Sequence, residues 1–213
     1  MKALIAGATG LIGKELLQML LEDDYYTSVH SIVRMPTELK HSKLKEFVVD
    51  FDQLQSYPEA FAVDDVFCCL GTTMKKAGTK EAFRKVDYDY PLAIAEQSLE
   101  AGAKQYLIVT AMGSDADSRI FYNKVKGEIE RELKKLPFES LLIFRPSLLL
   151  GDRNEKRVGE DIGKVVMKLI PYIGPLKKYK PIIGKQVAFA MQIQAKRAHK
   201  GTQVFESGRI QEF

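Results

Sequence analysis

Three glycines near the start of the chain, Gly7, Gly10 and Gly13, have the G-x-x-G-x-x-G spacing of a turn that binds phosphate. Read from Ala8, the same stretch is A-x-x-x-x-G-K, which is close to the P-loop of nucleoside-triphosphate-binding proteins. A P-loop needs Ser or Thr after the lysine, because that hydroxyl binds Mg²⁺. The chain has Glu15 there, and its carboxylate would repel the phosphates. The motif therefore predicts a dinucleotide-binding turn rather than an ATP site.

This turn requires a strand immediately before it and a helix immediately after it, and the hydrophobic pattern predicts both. Gly7 permits the tight turn, Gly10 lets the backbone approach a pyrophosphate, and Gly13 lets the helix pack on the strand. The helix N-terminus adds free N–H groups and the positive end of its dipole. The predicted cofactor contacts in this turn also include Thr9, Leu11 and Ile12. A glycine-rich turn that binds nothing is the alternative that the motif alone leaves open.

Arg34 follows the predicted second strand, at the position that distinguishes NAD from NADP. NAD enzymes usually carry an acidic residue there for the ribose 2′-hydroxyl, whereas an arginine accommodates a 2′-phosphate with its charged, forked side chain. No acid is adjacent to Arg34, so the sequence predicts NADP(H), with a solvated surface arginine as the alternative. Asp50 ends the predicted third strand, where it is placed either to contact the adenine or to cap the next turn.

Tyr122 and Lys126 form a second group of residues that could take part in a reaction. Their spacing places them on one face of a predicted helix, roughly 6 Å apart. A lysine charge beside a phenol lowers the phenol pKa from about 10 towards a value suited to a general acid or base. With 32 Lys and Arg and 9 Tyr among 213 residues, one such pair is expected by chance. Its position therefore matters more than its spacing, and it follows the predicted fifth strand, where a ligand crevice forms.

A hydroxyl group near this pair would complete a proton-transfer site. Thr110 ends the predicted fifth strand and is the first candidate to orient a substrate carbonyl or share its proton. Ser114 is the second candidate. For both residues, a turn side chain that bonds its own backbone is an equally good interpretation.

Short apolar runs alternate with longer amphipathic ones as far as Pro146. The apolar runs predict strands at residues 2–7, 28–34, 46–50, 65–71, 105–111 and 139–146. Helical patterns lie at residues 11–22, 90–101 and 121–135. This alternation predicts an α/β fold with a doubly wound, mostly parallel sheet (Rossmann fold) and a small C-terminal substrate lobe.

The length of 213 residues fits a single NAD(P)-binding domain, with residues 151–213 as an extension on the substrate side. Within this extension, the pattern predicts a polar loop at 151–161, a helix at 163–173, a helix at about 185–199, and a hairpin or edge strand at 202–213. Because chain after the last strands folds over their carboxyl ends, it is expected to contact the substrate.

The composition indicates a soluble protein without nucleic-acid or membrane partners. The net charge of +4 is mild and its charges are interspersed, which suits a small anionic ligand only weakly. Cys68 and Cys69 are adjacent, so on a strand they face opposite ways and do not bridge. No residues have metal-ligand spacing, and no apolar run approaches the length of a membrane span. A reducing cytoplasm is the expected location.

Several stretches together resemble a known family and occur in the family's order: GATGLIG, CCLGTT, VDYDYP, TAMGSDADSRIFYNKVKGEIE and FRPSLLLGDR. They are similar to the atypical short-chain dehydrogenase/reductases, especially the Tat-interacting-protein-like oxidoreductases, over residues 1 to about 155. The resemblance implies a Rossmann fold, NADP(H) binding and a Ser/Thr–Tyr–Lys catalytic set. In that set Tyr122 is the acid/base, and Lys126 binds the nicotinamide ribose and lowers the pKa of the tyrosine. The resemblance also implies cofactor contacts at Leu70, Gly71, Thr72 and Pro146.

Ala111 departs from the family, which usually has Ser-Ser where this chain has Thr110-Ala111. The main hypothesis is a reductase in which NADPH reduces a small carbonyl compound and Tyr122 donates the proton. The alternative is a non-catalytic NADPH-binding sensor or regulator, which Ala111 and the small C-terminal part favour. Epimerase chemistry with retained cofactor is a third option. Related proteins commonly pair through helices beside the active site, which suggests a homodimer.

Overall fold

A parallel β-sheet forms the centre of the protein, which the computed structural model describes over residues 1–150 and 179–213. In these residues the sheet has the order β3-β2-β1-β4-β5-β6-β9, and every neighbouring pair is parallel. The strands are β1 Lys2–Ala6, β2 Ser28–Val33, β3 Leu44–Val48, β4 Asp65–Cys68, β5 Gln105–Val109, β6 Ser140–Arg145 and β9 Gly201–Glu206. The order reverses between β1 and β4, which is where doubly wound sheets bind ligands at their carboxyl edge. The predicted Rossmann fold is confirmed.

Helices cover both faces of this sheet. They are α1 Gly13–Glu22, α2 Met74–Ala77, α3 Lys80–Arg84, α4 Tyr90–Glu100, α5 Phe121–Leu133, α6 Gly184–Ala195 and α7 Ser207–Ile210, with a π-helical segment at Lys85–Asp89. One buried cluster joins α1 and α6 to the sheet through residues such as Leu16, Leu20 and Met191. A second cluster joins α4 and α5 to the other face through Ile94 and Ile129. Each such fully buried side chain stabilises the fold by about 1.5–3 kcal/mol.

The C-terminal residues extend this sheet. The predicted helix at 185–199 is α6, which ends earlier, at Ala195. Residues 201–206 form the edge strand β9, and α7 follows it directly, so the hairpin alternative is wrong. A small second sheet pairs β7 Leu149–Leu150 with β8 Ile182–Ile183. The predicted loop and helix of residues 151–173 lie outside the described residues.

Several elements differ from the sequence-based expectation. Strand β3 begins two residues before the predicted start, because its register on β2 pairs Leu44 with Val29. The short helices α2 and α3 and the π-helical segment were not predicted. Within the described ranges, none of the helices has the length and apolar character to cross a membrane.

Candidate active site

The glycine turn lies between β1 and α1 and has no room for side chains. Gly7 adopts a φ of +84°, which favours glycine, and its carbonyl accepts a hydrogen bond from the Gly10 N–H at 3.0 Å. A Cβ on Gly7 would lie 2.6 Å from the carbonyl oxygen of Cys69, and one on Gly13 would lie 2.1 Å from the carbonyl oxygen of Gly7. The close packing that the motif predicts is therefore present, and it leaves a backbone-lined cradle.

The first turn of α1 faces this cradle. Ile12 occupies its N-cap position and provides no side-chain hydrogen bond. The Lys14 N–H of this turn donates to the Gly10 carbonyl at 3.0 Å, and the positive end of the helix dipole faces an anion site without a side-chain cap. Thr9 is exposed and Leu11 is half-buried beside the turn. A Cβ on Gly184, the first residue of α6, would lie 2.7 Å from the Leu11 carbonyl oxygen, so α6 closes the other side of the turn.

Arg34 and Asp50 follow β2 and β3 at the same carboxyl edge. Arg34 is exposed, directly after β2, and it makes no ion pair with a described residue. The loop after it is held by the Glu46 carboxylate, which accepts hydrogen bonds from the N–H and hydroxyl of Thr37 at 2.7 and 2.6 Å. Asp50 caps its own turn, since its carboxylate accepts from the Asp52 N–H at 2.9 Å. The capping alternative for Asp50 is therefore realised, and adenine contact stays a prediction.

A buried ion pair joins the π-helical segment before α4 to α5. The Asp87 carboxylate lies 2.8 Å from the Lys126 ammonium, and the exposed fractions of their side chains are 1% and 6%. The other carboxylate oxygen of Asp87 accepts the N–H of Thr72 at 2.9 Å. A Cβ on Gly71 would lie 3.8 Å from the Lys126 nitrogen, so this loop passes directly over the lysine. The structure thus brings together three predicted residues: Gly71, Thr72 and Lys126.

The ammonium of Lys126 is charged and retains unused donors. The Asp87 oxygen that faces it has an ion-pair contact without the alignment of a hydrogen bond. Burial alone would lower the pKa of Lys126, but Asp87 and Tyr122 outweigh this effect and the net shift of the pKa is upward. Asp87 faces one side of this ammonium, and no other described residue accepts a hydrogen bond from its three N–H groups. Its N–H groups therefore fit a ligand hydroxyl that enters the crevice.

Asp87 is a site residue that sequence reasoning missed. It lies in the π-helical segment Lys85–Asp89, immediately before α4. A π-helical turn inserts an extra residue, and such turns are frequent at functional sites. The segment rotates Asp87 into the protein towards Lys126. The motif VDYDYP contains this aspartate, but nothing in its spacing gives the direction of the side chain.

Tyr122 begins the same face of α5, one turn before Lys126. Its side chain is 37% exposed, and its hydroxyl has no hydrogen-bond partner among the described residues. The ring packs on Phe83 of α3 at a centroid distance of 5.7 Å. A Cβ on Gly127 would lie 2.1 Å from the Ala116 nitrogen, so this glycine lets the preceding loop pack against α5. Tyr122 is thus held at the rim of the crevice with a free hydroxyl.

The predicted hydroxyl partners are engaged elsewhere. Thr110 is buried, and its hydroxyl donates to Glu130 at 2.7 Å. Glu130 in turn accepts two hydrogen bonds from Arg145, one of them from Nε at 3.0 Å. The hydroxyl of Ser114 donates to the Ala111 carbonyl at 2.6 Å, which is the turn-capping alternative. The structure therefore gives neither hydroxyl a contact with Tyr122, and the catalytic role of Thr110 stays a prediction.

The remaining predicted contacts lie along the same edge. Leu70 is half-buried at the end of β4, next to the glycine turn. Pro146 is buried after β6, and its carbonyl accepts the N–H of Met112 at 2.9 Å. Both residues lie where residues that line a ligand crevice are expected, and their contacts with a cofactor stay predictions.

The parallel sheet and the glycine turn define a Rossmann fold, and solved structures share it. MoeE5 in complex with UDP-glucose and NAD is similar, with a TM-score of 0.71, 16% identity, and coverage of 96% of this chain and 75% of that one. WbmH from Bordetella bronchiseptica in complex with NAD⁺ has a TM-score of 0.72 and 15% identity over 99% of this chain and 78% of its own. Human SDR39U1 with NADPH has a TM-score of 0.60 and 16% identity, over 97% of this chain and 74% of its own. These likenesses establish the fold.

The chain belongs to the HIM1 family, which matches residues 26–179. Protein HTATIP2 of Rattus norvegicus is 39% identical over 171 residues, which cover 78% of this chain and 70% of that protein. The mitochondrial protein FMP52 of Eremothecium gossypii is 37% identical over 174 residues, which cover 80% of this chain and 77% of that protein. The resemblance to the Tat-interacting-protein-like short-chain dehydrogenase/reductases is thus confirmed.

The predicted cytoplasmic location is contradicted by these relatives. FMP52 of Eremothecium gossypii and of Debaryomyces hansenii, 37% and 33% identical to this chain, are both named as mitochondrial. Cys68 and Cys69 are free cysteines. Free cysteines separate reducing from oxidising compartments, but they do not separate one reducing compartment from another.

Proposed function

We propose that this protein is an NADP(H)-dependent oxidoreductase that reduces a small carbonyl compound, with Tyr122 as the proton donor. The observation that carries the proposal is the pairing of a free tyrosine hydroxyl with a buried, charged lysine one helical turn away, beside the loop after β4. Both lie at the carboxyl edge of a sheet whose glycine turn forms a cradle for a pyrophosphate.

The residues present fit a nicotinamide dinucleotide. The backbone of Gly7 and Gly10 and the first turn of α1 would hold the pyrophosphate, because only glycine leaves room there. Lys126, with its unused N–H donors, would hold the nicotinamide ribose through its hydroxyls. Arg34, exposed and without an ion-pair partner in the described residues, would hold the 2′-phosphate that distinguishes NADP from NAD.

When bound, the reduced cofactor supplies a hydride to the carbonyl carbon of the substrate. The hydroxyl of Tyr122 hydrogen-bonds to the carbonyl oxygen and gives its proton to that oxygen as the carbon is reduced, so the product is the alcohol. Lys126 stabilises the phenolate that remains, because its positive charge lies on the same face of α5. The phenolate recovers its proton from solvent, to which the ring is partly exposed.

A specific observation favours a second function, that of a non-catalytic NADPH sensor. The hydroxyls of Thr110 and Ser114 are bonded to Glu130 and to the Ala111 carbonyl, and Ala111 itself carries no hydroxyl. Tyr122 would then act without the second hydroxyl that the family usually provides. In a sensor, cofactor occupancy would shape the surface around the crevice for a partner. The FMP52 names favour mitochondria as the place where either function is exercised.

Replacement of Tyr122 by Phe separates the two functions. In a reductase, Tyr122→Phe should lower the turnover number by about 10²–10⁴-fold, because a positioned general acid is worth that factor. The affinity for NADPH should remain within about two-fold, since the phenol oxygen is not a predicted cofactor contact. Turnover is followed as NADPH consumption with a panel of aldehydes and ketones. Binding of NADPH without consumption by the wild-type protein or the variant would instead support the sensor.

A further inference from the structure

The segment between the loop after β4 and α4 is strongly basic. Residues 72–86 contain five cations and one acid, so they carry the same net charge, +4, as the whole protein. The cations are Lys75, Lys76, Lys80, Arg84 and Lys85, and the acid is Glu81. These charges lie on α2, α3 and the start of the π-helical segment.

This basic segment borders the tyrosine of the candidate site. Phe83 of α3 packs on Tyr122 and on Phe121, each at a centroid distance of 5.7 Å. The ammonium of Lys80 lies over the Phe121 ring, 5.4 Å from its centroid. Lys80 is thus held at the rim of the crevice, next to the aromatic rings of the α5 N-terminus.

Some of these cations are used within the fold. Arg84 pairs with Glu128 of α5, and Lys85 pairs with Asp52 at 2.7 Å. Lys75 and Lys80 are exposed and make no ion pair with any residue that the structure describes. Their charges are consequently available to a ligand.

We propose that the substrate site beside Tyr122 takes an organic anion, a carbonyl compound that carries a carboxylate or a phosphate. Lys80, assisted by Lys75, receives the charged group, and the rings of Phe121 and Tyr122 support the apolar body. The apolar side chains of Met74 in α2 and of Ile120, just before α5, are exposed, which agrees with a ligand that is charged at one end and apolar at the other. This inference rests on the proposed reductase function, because it takes the ligand of the site to be the substrate.

The test compares 4-acetylbenzoate with its uncharged methyl ester, two aryl ketones that differ chiefly in charge. Binding of each ketone is measured by calorimetry on protein loaded with NADP⁺, which cannot reduce them. The wild-type protein should prefer the anion, and Lys75→Gln/Lys80→Gln should lose that preference, by about two- to five-fold for each lysine. Lys80→Arg should retain it. Lys200→Gln, an exposed cation before β9, is the matched control and should change nothing.

The outcomes distinguish the proposed anion site from the proposed reductase function. An anion preference that weakens with salt and disappears in the double variant supports the anion site. Equal affinity of the wild-type protein for both ketones, or a preference that survives in the double variant, overturns it. Consumption of NADPH is then measured with the same ketones. Turnover of both without a charge preference leaves the reductase and overturns the anion site, whereas charge-dependent binding without turnover leaves the anion site and removes the reductase.

Discussion

Replacement of Asp87 by Asn tests whether the buried ion pair organises the candidate site. The pair with Lys126 is almost fully removed from water, with exposed fractions of 1% and 6%. Loss of one partner leaves the other charge buried and unpaired, which costs about 3–5 kcal/mol. The free energy of unfolding of a typical protein is about 5–15 kcal/mol, so Asp87→Asn is expected to fold but with a much smaller free energy of unfolding. For a chain of this size the expected fall in Tm is roughly 6–20 °C.

The assay is a double-mutant cycle in urea with Asp87→Asn, Lys126→Met and the double variant. The double variant removes both charges, so it should be more stable than the sum of the two losses predicts, by about 2 kcal/mol or more. Asp52→Asn is the matched control, because it breaks the exposed pair with Lys85 and should change the free energy of unfolding very little. Equal losses for Asp87→Asn and Asp52→Asn, or additive losses in the cycle, would refute a buried, coupled pair.

Two further predictions concern the glycine turn and Asp65 at the amino end of strand β4. Gly13→Ala places a Cβ 2.1 Å from the Gly7 carbonyl oxygen and should abolish stable folding, whereas the Cβ of Gly10→Ala lies 3.2 Å from that oxygen, so this variant should fold and lose NADPH binding. Circular dichroism measures the folding of both variants, and a titration measures their NADPH binding. A Gly10→Ala protein with unchanged NADPH affinity would contradict the cradle. Burial raises the pKa of Asp65 from 3.8 to about 6, against the hydrogen bond from Tyr26. The folded state holds this proton more tightly than the unfolded state. The contribution of Asp65 to the free energy of unfolding is therefore fully present below about pH 4 and falls by about 3 kcal/mol as the pH rises to 6. Asp65→Asn should flatten this slope in urea unfolding at pH 4 to 7, and an unchanged slope would show that other groups cause it.

The sheet and the glycine turn were predictable because both depend on local pattern. Buried parallel strands appear as short apolar runs, and each lies within two or three residues of its predicted limits. The glycines at 7 and 13 are required by the backbone itself, since any Cβ there collides with a carbonyl. The edge strand β3 was placed two residues late because its half-exposed side chains give a weak pattern.

The direction of polar side chains was not predictable in the same way. Asp87 reaches Lys126 only because a π-helical turn changes the helical period, which no spacing rule for α-helices anticipates. Thr110 follows β5 as expected, but the distant Glu130, fixed by Arg145, captures its hydroxyl. Such a choice of partner depends on tertiary packing between α5 and β6, so the residue was predictable and its contact was not.

The most direct test of the central claim is a parallel fluorescence titration of the wild-type protein and Arg34→Gln with NADPH, NADH and Mg-ATP. The cradle and the exposed Arg34 predict micromolar NADPH binding by the wild-type protein, much weaker NADH binding, and none for ATP. In Arg34→Gln, NADPH affinity should fall about 10- to 150-fold towards that of NADH, because a charged hydrogen bond to phosphate is worth roughly 1.5–3 kcal/mol. Binding of ATP alone, or equal affinity of both proteins for NADPH and NADH, would contradict the proposed NADP(H) site.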